Sequence, residues 1–424
     1  MDKFVIRGGN PLVGTVRISG AKNSALSCMA AAILTEDEVT LDNIPQVRDI
    51  VTEGRLLASM GAEVRQEDEP TSTTISCRSL SDPVAKYEIV KTMRASSLVL
   101  GPLIARAGMA RVAMPGGCAI GGRPIDLHIK GLEKMGATIT QEHGYLEARA
   151  ERLRGAHLVF DKITVTGTED LLMAAVLADG ETLMENCARE PEVADLAALL
   201  IAMGAKIEGA GTSTIKIKGV AKLHGARHRI NPDRIEAGTF LIAGAITGGD
   251  LNVDCCNPEH LGALLGKLEA CGVKLEVGKE NVRVRSGSQL AATDITTEEY
   301  PGFPTDMQAQ FMALLTQANG TSTVTENIFE NRFMHVQELN RMGANITVNG
   351  RTATVRGGAK LQSAAVMCSD LRASAALVLA ALVADGESIL DRVYHMDRGY
   401  ERLEEKLRGV GAQIRRMGEV FGKK

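Results

Sequence analysis

The chain contains the stretch Met60-Gly61-Ala62-Glu63-Val64, and five further versions of it follow at regular spacing. In each version a helix-like stretch ends at a glycine, and a small residue then leads into an apolar β-former. The other five glycines are Gly136, Gly204, Gly272, Gly343 and Gly411. Because 350 residues separate Gly61 from Gly411, the five intervals average 70 residues. A fixed period of this kind predicts six repeated structural units along the 424 residues.

Each repeat also carries a second apolar segment, of which residues 235–246 and 373–384 are examples. These segments are rich in Ala, Leu and Val on nearly every face, which is typical of buried helices. The residues at their equivalent starts are Lys22, Arg94, Thr166, Arg234, Asp306 and Arg372. Four of these six are cations, and a cation at a helix N-terminus opposes the helix dipole. Since helix N-termini favour anions, the pattern predicts a site for a negatively charged ligand.

The repeats divide the chain into two predicted domains. Two β-like runs follow each glycine turn except the last, and the N-terminal residues 1–21 supply the missing pair. We therefore predict one domain at residues 22–231, which contains Cys118, and a discontinuous one at residues 1–21 plus 232–424. Each holds three repeats of βαβαββ type. The predicted fold class is mixed α/β, with helices inside and sheets outside, and we expect the ligand in a cleft between the domains.

Composition excludes several classes of function. A net charge of −4, 3% aromatic residues and no Trp provide neither a basic field nor stacking platforms for nucleic acid. The start lacks a signal-peptide pattern and the apolar runs are too short to cross a membrane, so we expect a cytoplasmic protein without a membrane partner. The eight cysteines form no CxxC pair, which favours reduced thiols over a metal site. Adjacent Cys255 and Cys256 could form a strained disulfide, but free thiols are the simpler prediction. The sequence leaves the oligomeric state open.

The most distinctive segment is the glycine-rich stretch from Pro115 to Pro124. Four glycines within seven residues permit unusual backbone angles and suit a lid better than a core. Cys118 lies in this segment near Arg123, where a thiol would be exposed and shifted toward thiolate. The alternative is an ordinary buried cysteine. The glycine-rich context favours the functional interpretation.

Three other positions have a functional and a structural interpretation. Asp306 follows an extended Pro304 segment, so it could cap a helix or serve as a catalytic acid or base. Lys22, followed by Asn23, resembles a phosphate-holding helix start, although the GxxxxGK[ST] loop is absent. For Arg398 the structural interpretation is an ordinary surface salt bridge. Because the repeats place these residues at related positions, their convergence favours a shared site.

The motifs closely resemble those of the UDP-N-acetylglucosamine 1-carboxyvinyltransferase family of enolpyruvyl transferases. The resemblance covers essentially the whole chain, and the family fold is a pair of inside-out α/β barrels built from six repeats. The stretches that carry it are Ser19-Gly20-Ala21-Lys22-Asn23, Lys91-Thr92-Met93-Arg94-Ala95-Ser96, residues 115–127, Pro304-Thr305-Asp306-Met307-Gln308, Asn331-Arg332-Phe333, Asp370-Leu371-Arg372-Ala373-Ser374 and Asp397-Arg398-Gly399-Tyr400.

The resemblance implies a reaction and its substrates. The enolpyruvyl group of phosphoenolpyruvate passes to the 3-hydroxyl of UDP-N-acetylglucosamine and phosphate is released, which is the first committed step of peptidoglycan synthesis. No metal or organic cofactor is expected. The partners implied are the two small-molecule substrates.

The resemblance also implies roles for individual residues. Lys22, Arg123 and Arg398 are expected to hold the phosphate and carboxylate of phosphoenolpyruvate, and Asp306 to accept the proton of the sugar hydroxyl. Cys118 is expected to donate a proton to C3 of the enol and to be alkylated by epoxides of the fosfomycin type. Arg372, with Asp370, is expected to support the closed site. The residues expected to line the UDP-N-acetylglucosamine site are Asn23, Arg94, Arg123, Pro124, Ile125, Asp126, Leu127, Lys162, Ile163, Thr164, Val165 and Ile328.

Two alternatives stay open at this point. A shikimate-type enolpyruvyl transferase shares the repeat fold and phosphoenolpyruvate but lacks the glycine-rich segment around Cys118. A non-catalytic UDP-sugar-binding paralogue would bind without turnover. The joint presence of Lys22, Cys118, Arg123, Asp306 and Arg398 argues against the second alternative.

Overall fold

The computed structural model describes residues 2–69, 71–114, 125–285 and 289–418. The chain divides into two compact units. The terminal unit contains residues up to Ser19 and residues from Pro232 onward, and the central unit contains the described residues between Gly20 and Asn231.

Helices recur through both units. In the described residues they are α1 (Lys22–Ala31), α2 (Arg48–Ser59), α3 (Tyr87–Val90), α4 (Leu100–Ala107), α5 (Asp126–Lys134), α6 (Val165–Ala175) and α7 (Pro191–Ala202) of the central unit, and α8 (Arg234–Ile246), α9 (Gly262–Ala270), α10 (Gln308–Leu315), α11 (His335–Arg341), α12 (Leu371–Val383) and α13 (Leu403–Gly409) of the terminal unit. Short 3₁₀ segments are Ala32–Leu34, Arg94–Val99, Pro258–Leu261, Thr305–Met307 and Val393–Arg398.

Strands are short throughout. They are β1 (Lys3–Arg7), β2 (Val13–Arg17), β3 (Val39–Asp42), β4 (Glu63–Gln66), β5 (Thr73–Ser76), β6 (Val84–Ala85), β7 (Met109–Ala113), β8 (Thr138–Glu142), β9 (Tyr145–Arg149), β10 (His157–Val159), β11 (Glu181–Glu185), β12 (Lys206–Glu208), β13 (Thr214–Lys218), β14 (Arg227–Arg229), β15 (Asp250–Asp254), β16 (Lys274–Val277), β17 (Asn281–Arg285), β18 (Ile295–Thr296), β19 (Thr321–Thr325), β20 (Asn345–Asn349), β21 (Thr352–Arg356), β22 (Ala365–Met367), β23 (Glu387–Asp391) and β24 (Gln413–Met417).

Within the described ranges these strands form six four-stranded sheets, three in each unit. The central unit has the orders β14-β3-β5-β4, β6-β7-β9-β8 and β10-β11-β13-β12, and the terminal unit has β16-β17-β15-β2, β18-β19-β21-β20 and β22-β23-β1-β24. Every sheet contains one parallel pair. The pairs β3 with β14 and β2 with β15 join strands that are distant in the chain, whereas in the other four, for example β10 with β11, the connection in sequence runs through a helix. This matches the crossover that parallel strands require. The sixfold α/β architecture predicted from the sequence is confirmed.

The N-terminal strands complete the terminal unit. β1 lies between β23 and β24, with Phe4 opposite Leu390 and Arg416. β2 pairs in parallel with β15. In the central unit β14, from the third repeat, returns to pair with β3 of the first. Each unit therefore closes its three sheets with its own strands.

The helices that the sequence predicted to be buried form the cores. All residues from Ile235 to Ile246 in α8 are buried, as are those from Arg372 to Leu382 in α12. The buried apolar side chains separate into two clusters, one in each unit. No helix of the described residues is long and apolar enough to span a membrane.

The repeated glycine ends a helix in all six repeats. The six glycines have φ between +81° and +108°, a range that favours glycine because it has no Cβ. The next residue donates its N–H to a carbonyl five residues earlier, as from Ala62 to Leu57 at 3.1 Å. This pairing turns the chain sharply into the following strand, which is why the pattern marks the repeats so clearly.

Candidate active site

Lys22 and Asn23 are the first two residues of α1, in the central unit. The Lys22 ammonium lies 3.1 Å from the Asp49 carboxylate, and the two side chains are 12% and 5% exposed. The first turn of α1 contains no acidic residue, so Asp49 from α2 supplies the counter-charge to Lys22. Asn23, the next residue, is exposed.

Two predicted binding segments stand before neighbouring helices of the central unit. Ile125 precedes α5, which begins with exposed Asp126 and then Leu127. Lys162, Ile163 and Thr164 precede α6, which begins at Val165. Because α5 packs against α6, the fold brings the two segments together.

Thr164 and His128 fix these segments. The Thr164 hydroxyl oxygen accepts a hydrogen bond from the Gly167 N–H at 3.2 Å and so caps α6. His128 of α5 is buried close to the Thr166 backbone, and burial lowers the pKa of this imidazole to about 4. It is therefore neutral at physiological pH and adds no charge beside the N-terminus of α6.

Asp306 lies in the terminal unit, in the 3₁₀ segment that leads into α10. Arg332 donates to one carboxylate oxygen at 2.6 Å, and the Nε of Arg372 donates to the other at 3.1 Å. The N-cap positions of the 3₁₀ segment and of α10 are Pro304 and Met307, so the interpretation of Asp306 as a helix cap is wrong. The carboxylate is 28% exposed and its charge is balanced by the two guanidinium groups.

Arg372 is buried at the start of α12. Asp370 caps this helix, with its Oδ1 accepting from the N–H groups of Arg372 and Ala373 at 2.9 and 3.1 Å. The Arg372 guanidinium lies over the ring of Tyr400, 5.3 Å from its centroid. Its pKa is shifted upward, with burial opposing and Asp306 favouring the charged form. Arg372 therefore stays positively charged beside Asp306.

Two residues of this cluster have roles that the sequence did not assign. Arg332 appeared only within a family motif, yet it bridges Thr305 at 2.8 Å and Asp306 at 2.6 Å. Buried Glu326, one residue after β19, accepts hydrogen bonds from the Thr305 hydroxyl and from the N–H of Ile328, both at 2.9 Å. Glu326 thus fixes the predicted residue Ile328 and the residue beside Asp306. Its position directly after a strand was the available signal.

Arg398 ends the 3₁₀ segment Val393–Arg398. Its neighbour Asp397 accepts hydrogen bonds from both Nη atoms of Arg416, at 3.0 and 2.5 Å. The Nε of Arg416 also donates to Glu404 at 2.6 Å. Arg416 of β24 therefore anchors the segment that presents Arg398.

Four predicted residues remain, and the structure describes one of them. Arg94 begins the 3₁₀ segment Arg94–Val99. Cys118, Arg123 and Pro124 lie outside the described residues, so their roles stay predictions.

The described cysteines are all free thiols, including Cys255 and Cys256. One group among the described residues has the donor types of a metal site, namely Cys28, Asp195 and His228. Both Asp195 oxygens already accept hydrogen bonds, from His228 at 2.8 Å and from the Asn231 N–H at 3.0 Å. Burial raises the pKa of the Cys28 thiol well above its ordinary value, so it stays protonated.

Comparisons with known proteins place this arrangement in a family. The sequence profile of the family EPSP synthase (3-phosphoshikimate 1-carboxyvinyltransferase) matches residues 6–407 of this chain. The chain therefore belongs to this family. It is also similar in fold to the enolpyruvyl transferase NikO from Streptomyces tendae, with a TM-score of 0.88, 26% identity and coverage of 98% of this chain and 99% of that one.

Two relatives that share one name also share most of their sequence with this chain. UDP-N-acetylglucosamine 1-carboxyvinyltransferase from Acidobacterium capsulatum is 77% identical over 100% of this chain and 98% of its own. Its counterpart from Koribacter versatilis is 71% identical over the same shares of the two chains. These relatives confirm the resemblance that the motifs indicated.

Proposed function

We propose that this protein transfers the enolpyruvyl group of phosphoenolpyruvate to the 3-hydroxyl of UDP-N-acetylglucosamine with release of phosphate. The observation that carries the proposal is the 77% identity, over the full chain, to a protein named for this activity. The reaction is the first committed step of peptidoglycan synthesis. EPSP synthase from Acinetobacter baumannii is 17% identical, and that likeness supports the fold alone.

Asp306 is the proposed base of this reaction. Addition requires a proton acceptor at the sugar hydroxyl, whose oxygen then bonds to C2 of phosphoenolpyruvate. Arg332 and Arg372 hold both carboxylate oxygens, and the side chain is still partly exposed. A carboxylate fixed in this way is oriented before the substrate arrives, which lowers the entropic cost of reaching the transition state.

Positively charged side chains are proposed to bind the anionic substrate, phosphoenolpyruvate. Lys22 and Arg398, together with Arg123, are proposed to bind the phosphate and carboxylate of phosphoenolpyruvate and to stabilise charge as phosphate departs. Cys118 is proposed to give a proton to C3 during addition. In the elimination C3 loses a proton, the C2–O bond to phosphate breaks and the enolpyruvyl ether remains. The reaction is balanced without an oxidant or a metal.

The sugar nucleotide is proposed to bind the two segments at the starts of α5 and α6. Residues 125–127 and 162–165 stand at the starts of α5 and α6, where backbone N–H groups favour a diphosphate. Asn23, Arg94, Pro124, Ile328 and Arg372 complete the proposed lining.

One assay tests this function. Purified protein is supplied with phosphoenolpyruvate and UDP-N-acetylglucosamine, singly and together, and released phosphate is measured. We expect release only when both are present. Release with shikimate 3-phosphate in place of the sugar nucleotide would favour the shikimate-type alternative. Binding of UDP-N-acetylglucosamine without release would favour the non-catalytic paralogue.

A further inference from the structure

A second carboxyl group lies next to Asp49, the ion-pair partner of Lys22. Glu53 is one helical turn after Asp49 in α2, and residues four apart on a helix are neighbours on its surface. Its side chain is 0% exposed. Neither carboxyl oxygen has a hydrogen-bond partner among the described residues. A buried carboxyl without partners is costly when ionised, so its presence beside the counter-charge of Lys22 requires an explanation.

The surroundings leave Asp49 as the charge that acts most directly on Glu53. The elements packed against α2 are α1, α3 and β4. On α1 the charged group is Lys22, which is paired with Asp49. The other charged groups of these elements and of α2 are exposed: Arg48, Arg55, Glu63, Arg65 and Glu88, with Lys91 just beyond α3. Glu88 forms an ion pair with Lys91, and Arg65 forms one with Glu38 at 3.2 Å.

We propose that Asp49 and Glu53 form a two-carboxyl support for Lys22, in which Asp49 orients the ammonium and Glu53 is kept uncharged. With Glu53 uncharged, the Lys22–Asp49 pair has no net charge, whereas an ionised Glu53 would give the group a net negative charge that opposes an anionic substrate. Glu53 is a positioning residue in this arrangement, because it acts through Asp49 and Lys22. The inference rests on the proposed function, in which Lys22 binds phosphoenolpyruvate.

The arrangement predicts how anion affinity changes with pH. Burial, and then the charge of Asp49, raise the pKa of Glu53 to about 8. Below that pH the carboxyl is neutral. Above it a second negative charge appears beside Asp49, and the group that includes Lys22 then opposes the anionic substrate. We expect the KM for phosphoenolpyruvate to rise about tenfold between roughly pH 7 and roughly pH 9.5.

The kinetic test compares the whole wild-type protein with Glu53→Gln, which has the size of the neutral acid and cannot ionise. Glu53→Gln is expected to lose the alkaline rise in KM, whereas changes in kcat that come from other groups are shared by both proteins. Glu63→Gln, an exposed glutamate on β4, is the matched control and is expected to keep the rise. If Glu53→Gln does not fold, Glu53→Met serves as the second variant. The same rise in KM in wild type and Glu53→Gln would overturn the proposal.

A spectroscopic titration tests the carboxyl pair without turnover. The band of the protonated Glu53 carboxyl is taken as the infrared difference between wild type and Glu53→Gln, because burial also raises the pKa of Glu169 and Asp170, whose bands are common to both proteins. This difference is expected to disappear with a midpoint near pH 8. Asp49→Asn removes the like charge and is expected to lower that midpoint. Loss of the band near the ordinary glutamic acid pKa, or a midpoint unchanged in Asp49→Asn, would overturn the proposal. Phosphate release by the wild type at neutral pH tests the proposed function separately, so the two failures are distinguishable.

Discussion

Asp306 shows how the molecule fixes a single reactive group. Its two oxygens are held by guanidinium groups from different repeats, one after β19 and one at the start of α12. Arg372 is itself held, since it is buried over the ring of Tyr400. The side chain proposed as the base therefore has little rotational freedom, although it lies on a short 3₁₀ segment.

Replacing Asp306 by Asn should separate binding from turnover. The amide keeps the shape of the carboxylate but cannot accept the hydroxyl proton, so we expect kcat to fall by about 10²-fold or more. UDP-N-acetylglucosamine should still bind, as calorimetry would show. Asp385→Asn, a change at an exposed aspartate of the same unit, is the control and should leave turnover unchanged. Near-normal kcat in Asp306→Asn would remove this residue from the base role.

Tyr400 is buried and packs against Arg372 of the same cluster. Its hydroxyl lies 2.9 Å from the Thr239 hydroxyl and accepts from the Gln310 amide at 3.2 Å. Tyr400→Phe leaves these buried groups with one partner fewer, so we expect the free energy of unfolding of the terminal unit to fall by about 1–2 kcal/mol. Chemical denaturation measures this. Tyr394→Phe, at a half-buried tyrosine nearby, is the comparison, and equal stability of the two variants would contradict the prediction.

At the scale of the element, helix starts place the cations. Asp370 caps α12 through two backbone N–H groups, one of which belongs to Arg372. Asp370→Ala should destabilise the terminal unit by about 1 kcal/mol and lower kcat, because the first turn of α12 carries Arg372 to Asp306. Asp370→Asn retains a capping oxygen and should recover most of the stability. Thermal unfolding and steady-state kinetics measure the two effects, and an Ala variant as stable as the wild type would refute the capping role.

Helix α2 carries a stability cost that depends on pH. The pKa of Glu53 is about 8 in the folded protein, against an ordinary value of 4.5. Between these values the folded state binds more protons than the unfolded state, so this group makes stability fall as pH rises. The cost reaches about 3 kcal/mol at neutral pH.

Glu53→Gln removes that titration. We expect the thermal unfolding midpoint of the variant to exceed that of the wild type at pH 8, and the gain to shrink as pH falls toward 4.5. Thermal melts across this range measure the difference. A difference that does not depend on pH would show that Glu53 ionises normally in the folded state.

Local sequence signals predicted the elements well and the contacts between them poorly. Lys22, Arg94 and Arg234 are the first residues of their helical segments, as the register of the repeats predicted. The glycine turn has a local cause, since the same positive-φ glycine conformation joins each helix to its strand. Arg332, Glu326 and Arg416 act through partners from other elements, and no periodicity shows where such side chains meet. Cys118 carried the most distinctive sequence signal and lies outside the described residues.

At the scale of the whole molecule, each unit closes its sheets with its own strands. In the central unit β14 returns to β3, and that unit has its own apolar cluster. In the terminal unit the N-terminal β1 lies between β23 and β24 and pairs with both. The two units therefore depend on the first nineteen residues to very different degrees.

This difference predicts the outcome of two truncations. Residues 20–231 expressed alone should fold cooperatively, since a unit with its own core is able to fold independently. A chain that begins at Gly20 should retain a folded central unit and lose the terminal one, because β23 and β24 would have no strand between them and β15 would lose β2. Amide hydrogen exchange resolved along the sequence measures both, with the full chain as reference. Protection of β23 and β24 in the shortened chain, or an unfolded 20–231 fragment, would show that the units do not fold as the strand pairing implies.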